Sequence, residues 1–168
     1  MDAFRTITEI KAANKSIGHH FFSRGAMRFF NSKIESPVLR GRYFITSEIG
    51  PNEVKAYSVH MASDAGEIET IGGFHSFKST KEARTFVREL PAYFYKAYTL
   101  AKDGFNGYPV QGMSFVEQAL IEPTNNKQKE FDKNTFTGAC AWICENADKI
   151  DEWFLKGLAK EYKQQLNK

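Results

Sequence analysis

Cysteine is scarce in this chain: Cys140 and Cys144 are the only two in 168 residues. They sit four apart in a stretch of helical periodicity, where neighbouring Cβ atoms point the same way and a disulfide closes badly. Reduced thiols are the natural expectation, and with them an intracellular setting. The sequon Asn14-Lys15-Ser16 then carries no glycan. No apolar run reaches eighteen residues, and the first residues, MDAFRTITEIK, lack a basic-then-apolar signal pattern. A protein with no membrane partner, located in the cytoplasm, is expected.

The phosphate-cradling patterns GxxxxGK[ST] and GxGxxG are missing, and Gly72-Gly73 is not a substitute for either. Metal-ligand spacing is missing too. A structural zinc site draws on paired Cys or His ligands, whereas the histidines nearest in sequence to Cys140 are His60 and His75. The two thiols therefore read as small core residues, and a nucleophilic role lacks a local base. His19-His20 would point to opposite sides of an extended segment, which favours contacts over chelation. Asp148, Asp151 and Glu152 lie on a lysine-rich helix, where a solvated face explains them. No cofactor, no metal and no catalytic residue is expected; a Cys/His-dependent enzyme is the least favoured class.

What the chain does contain is a clear α+β pattern. Arg42–Glu48 and Val54–Met61 alternate with period two and are rich in β-branched and aromatic residues, which is strand chemistry. Gly50-Pro51-Asn52-Glu53 and Asp64-Ala65-Gly66 supply the turns. A third run, Glu67–Phe77, carries Gly72-Gly73, a bulge or a place of close backbone approach. Ser79-Thr80-Lys81-Glu82 is a capping box, and the apolar stripe from Ala83 to Ala101 stays in phase across Pro91. The expected fold is N-terminal helices, a three-stranded antiparallel meander packed by a helix kinked or broken at Pro91, then a helical C-terminal extension.

The remaining helices follow the same signals. Thr6-Ile7-Thr8-Glu9 opens a first helix over about Ile7 to Ser16, ending at Gly18. Ser23 caps a short second helix, Arg24–Asn31, with Met27 and Phe30 turned inward beside Phe29. Residues 31–41 are a connector. GFNGYPVQG (104–112) is a loop and marks a boundary between a 1–103 αβββα domain and a 104–168 helical extension. Ser114 starts a helix that Pro123 closes, Thr124–Asn134 is polar and uncommitted, and Phe136–Tyr162 is one long helix or two broken near Asn146.

Charge is unevenly placed. Residues 1–42 hold eight Lys/Arg against three acids, the rest fifteen against seventeen. Lys78, Lys81, Arg84 and Arg88 fall near one helix face beside a positive helix N-terminus. Arg24, Arg28, Arg40 and Arg42 interleave with Phe29, Phe30 and Tyr43, a combination that holds a backbone while stacking bases. These eight cations are the candidate residues for nucleic-acid or partner binding; the competing reading is a solvated helix face over core aromatics.

Two resemblances add to this. Gly50-Pro51 and Lys78–Arg84 are similar to the first hairpin loop and basic helix start of double-stranded-RNA-binding domains. Asn52-Glu53 departs from that family's histidine-bearing loop, and His19–Gly41 is inserted before the sheet. Over about residues 7–90, Ala12-Ala13-Asn14-Lys15, His20-Phe21-Phe22, Met27–Ser32 and Gly41–Glu48 resemble motifs of small uncharacterised proteins carried by phages and mobile elements. That resemblance implies an accessory product in a bacterial host cell that binds a host protein or nucleoprotein, such as a CRISPR or other defence complex.

Overall fold

The computed structural model describes residues 3–125 and 131–168. They form an α+β structure in two compact units, Met1–Glu89 and Leu90–Lys168.

In the first unit, helix α1 (Ile7–Ser16) is capped as its sequence predicts: the Glu9 amide donates to Thr6 Oγ1 at 3.2 Å and the Glu9 carboxylate accepts from the Arg5 amide at 2.7 Å. Helix α2 (Arg24–Phe29) starts at Ser23, whose hydroxyl accepts from the Ala26 amide. The expected connector then contains a short strand, β1 (Lys33–Ile34), followed by β2 (Tyr43–Ile49), β3 (Lys55–Ala62) and β4 (Ile68–Ile71). All pairs are antiparallel in the order β1-β2-β3-β4, so the sheet has four strands rather than three. Two residues with little periodicity gave β1 no signal of its own; it forms because β2 offers it an edge.

The third run is also shorter than its periodicity suggests. β4 stops at Ile71 because Gly72 and Gly73 turn the chain with φ of 86° and 90°. A Cβ on Gly72 would lie 2.9 Å from Phe77 Cζ, so the glycine makes room for that ring, which stacks on Phe86 with centroids 5.1 Å apart. Helix α3 (Thr80–Glu89) follows, its first turn capped by Ser79.

Register decides what each sheet face carries. Tyr43, Ile45, Val59, Met61 and Ile71 lie on one face, all buried, with Ala83 and Val87 of α3 buried as well. α3 packs on β2 and β3. The opposite face carries Phe44 and Ala62 beside Phe4 and Ile10, with Ile7, Phe21, Phe22 and Ile68 around them. The same face continues into Thr46, Glu48, Ser58, His60 and Thr70. α1 is pinned to the β3–β4 turn: buried Asn14 donates to the Gly66 carbonyl at 2.9 Å and accepts from the Phe21 amide at 3.1 Å. Gly66 has φ of 100°, and a Cβ there would lie 2.6 Å from the Ala13 carbonyl carbon.

The second unit is helical: α4 (Phe94–Phe105), α5 (Phe115–Asn125), α6 (Phe136–Glu145), α7 (Ala147–Ile150) and α8 (Trp153–Leu166). The stripe across Pro91 is thus two helices, α3 and α4. Pro123 lies inside α5 instead of closing it; so near the end, its missing N–H removes one bond from the last turn. The C-terminal stripe breaks twice, at Asn146 and again at Asp151, which sits left-handed at φ 58°. Of the uncommitted polar stretch, 126–130 lie outside the described residues. Glu122 joins α5 to the start of α6 by accepting from the Thr135 and Thr137 hydroxyls at 2.6 and 2.9 Å.

Candidate functional site

The eight cations named from the sequence go to different places. Arg42 is committed to structure: its guanidinium donates to the Ala62 carbonyl and pairs with Asp64 at 2.8 Å. Arg40, left-handed at φ 49°, donates to the Val87 carbonyl at 2.6 Å, one of the last carbonyls of α3 that lack a helical partner. Lys78 is exposed ahead of α3, and Lys81, Arg84 and Arg88 are exposed along it. Arg40, Arg84 and Arg88 come together around an open groove of about 430 Å³, floored by Val38, Leu39 and Val87. Arg24 and Arg28 stand one helical turn apart on α2, both exposed and neither lining that groove.

α2 is unusual in burying none of its residues. Phe29 is 78% exposed and Phe30 44%, so the aromatic pair expected to turn inward faces out. Their rings meet edge to face at 4.6 Å, and Phe30 continues at 5.0 Å onto Phe74, itself half exposed. The Phe30 carbonyl accepts from the Ile49 amide at 3.2 Å, which sets exposed Ile49 beside the rings. Val54, closing the β2–β3 turn onto Gly50, is exposed as well. One end of the sheet therefore presents an apolar patch flanked by Arg24 and Arg28. Isolated exposed apolar side chains are ordinary, whereas a contiguous group of this kind marks a contact surface.

Buried in the sheet is a polar seam that the sequence did not announce. Thr46 donates its hydroxyl to Glu48 Oε2, and Ser58 donates to Glu48 Oε1 at 2.6 Å. Since Thr46 has a single proton to give, its oxygen at 2.7 Å from His60 Nε2 accepts from an Nε2–H. The Thr70 hydroxyl then donates to His60 Nδ1 at 3.1 Å. Every one of Thr46, Glu48, Ser58 and His60 is buried. Phe21 and Phe44 hold the imidazole between them, each centroid 5.1 Å away. Burial lowers the His60 pKa from 6.5 to about 3, so the ring is neutral and the tautomer above fits. His75, left-handed at φ 59°, straps the seam from outside: its amide donates to Ser58 Oγ at 2.7 Å, and its Nε2 lies 2.9 Å from the Glu48 carbonyl. Gly50 leaves space for that ring; a Cβ there would be 3.1 Å from His75 Cε1.

The seam is internally satisfied, which makes it a specificity device of the fold more than an open reactive centre. One signal could have revealed it. If the Gly50–Val54 turn is taken to pair Ile49 with Lys55, Thr46 falls opposite Ser58 and Phe44 opposite His60.

The thiols have the character of core residues. Cys140 and Cys144 are free and buried on α6; burial pushes the Cys140 pKa up to about 12 and raises that of Cys144 as well. A thiol held protonated is a poor nucleophile. His19 and His20 are exposed. Among the described residues, no three His, Cys, Asp or Glu side chains are placed to hold a metal ion, and no helix is long and apolar enough to cross a membrane.

No curated protein and no solved structure matches this chain. Over residues 6–88, which span α1 nearly to the end of α3, it is similar to a family of unknown function, DUF7447.

Proposed function

We propose that this chain is a non-enzymatic binding protein of the phage or mobile-element type, acting on a host protein or nucleoprotein through the apolar end of its sheet. The observation that carries this reading is the outward placement of Phe29, Phe30, Phe74 and Ile49. A helix with no fully buried residue has apolar surface left to bury elsewhere, and aromatic side chains flanked by arginines are the usual anchors of a protein contact. Ile49 and Val54 favour a protein over bare nucleic acid, because aliphatic side chains pack on apolar surface and offer no face for base stacking.

The family likeness over residues 6–88 coincides with the unit that carries the patch. Inhibition of a host defence complex such as CRISPR is the specific form of this proposal. It is tested by capturing partners from a bacterial lysate, with and without nuclease, on wild-type protein and on a Phe29→Ser, Phe30→Ser variant. A partner retained after nuclease and lost in the variant supports the proposal; no partner in either condition defeats it. A second reading, nucleic-acid binding, draws on Arg24 and Arg28 beside Phe29. It requires that capture vanish with nuclease and that binding fall steeply with salt.

A further inference from the structure

The groove between residues 38–40 and α3 lies on a different set of residues from the apolar patch and has its own chemistry. Val38, Leu39 and Val87 form its floor, and Arg40, Arg84 and Arg88 its polar wall, around about 430 Å³. Arg84 and Arg88 are one helical turn apart on the exposed side of α3, and Lys81 extends the row by another turn. Arg88 is steadied by donating to Thr85 Oγ1 at 3.3 Å. Arg40 is fixed by its bond to the Val87 carbonyl, so its role in the groove is to hold the wall's position while adding to its positive potential. We infer that this groove binds an acidic peptide segment carrying an aliphatic side chain, with the carboxylates on Arg84 and Arg88 and the aliphatic group on Val38, Leu39 and Val87.

Charge complementarity requires an anionic occupant, and the guanidinium fork matches a carboxylate or a phosphate in two parallel bonds. The floor decides between them. A single-stranded nucleic acid held by its backbone gains its remaining affinity by stacking bases on aromatic rings, and among the described residues no aromatic side chain lines the groove. Branched aliphatic side chains instead offer an apolar floor for a leucine or valine to pack on, which is how a peptide gains specificity once its charges are paired.

The test uses the full chain and fluorescence anisotropy with a labelled octapeptide, Glu-Asp-Leu-Glu-Asp-Leu-Glu-Asp. The same measurement is made with both leucines changed to serine, with oligothymidylate and with an RNA duplex. The leucine peptide is expected to bind best, losing about tenfold when its leucines are removed and at least as much in an Arg84→Glu, Arg88→Glu variant. Both arginines are exposed, and a melting curve equal to wild type confirms that the variant folds. Phe29→Ser should leave this binding unchanged, which separates the groove from the apolar patch. Equal binding of the serine peptide, tighter binding of either nucleic acid, or no binding of the leucine peptide would each overturn the inference.

Discussion

The two faces of one four-stranded sheet solve the same burial problem in opposite ways. Toward α3, Ile45, Val59, Met61 and Ile71 are wholly or almost wholly buried beside Ala83 and Val87, and the stabilisation comes from apolar area removed from water. Toward α1, Phe44 and Ala62 are followed by Thr46, Glu48, Ser58 and His60, equally buried but polar. There the strands are held by a chain of hydrogen bonds whose members satisfy one another. The difference teaches that burial alone does not say what a face is for. An apolar face needs its helix, whereas a polar face is stabilised by side chains that satisfy one another.

The largest way to break the comparison is acid. His60 binds a proton at about 3 in the folded chain and near 6.5 when unfolded, so the unfolded state takes up more protons as pH falls. The stability tied to a neutral His60 is complete above about pH 6.5 and is lost progressively toward pH 3, by up to about 5 kcal/mol. Urea unfolding of wild type against His60→Gln across that range should show a steeper loss of stability in wild type than in the variant. A wild-type curve parallel to the variant's would remove the polar face from the account.

Truncating the apolar face should come next. Ile45→Ala leaves a cavity at a fully buried position and should lower unfolding free energy by about 3 kcal/mol in the same assay. Thr46→Val keeps the shape but leaves His60 Nε2–H without its acceptor and Glu48 Oε2 without its Thr46 donor, for a loss of about 2 kcal/mol. If Thr46→Val is neutral, the seam contributes nothing beyond its packing. Smallest of all, Phe29→Ser should change stability by less than about 0.5 kcal/mol while abolishing partner capture, because the ring contacts mainly solvent.

How much of this could be read in advance differs by feature. The capped helix starts at Thr6, Ser23, Ser79 and Ser114 were legible because a side-chain oxygen and an amide three residues on settle the matter locally. Strands β2 and β3 were legible from alternation. The seam was not, because Thr46 and Glu48 occupy the positions of β2 that alternation assigns to solvent, and their partners lie 10 to 14 residues away on β3. Of the side chains expected to turn inward on α2, Met27 is half-buried while Phe30, beside Phe29, is exposed; a six-residue helix is too short for periodicity to fix its inner face. Of the expected cations, Arg40, Arg84 and Arg88 share one groove, while Arg42 is taken up by Asp64 and the Ala62 carbonyl.

The link between Asn14 and Gly66 has a consequence for the order of folding. It joins α1 to a turn 52 residues later, and the space it occupies admits no side chain at position 66. The β2–β3–β4 hairpins close from neighbouring segments and can form early; α1 gains its anchor only after that turn exists. Exchange of α1 amides with solvent should therefore follow opening of the β3–β4 turn. Any residue larger than glycine at 66 would press on the Ala13 backbone and loosen the seat of α1 on the sheet.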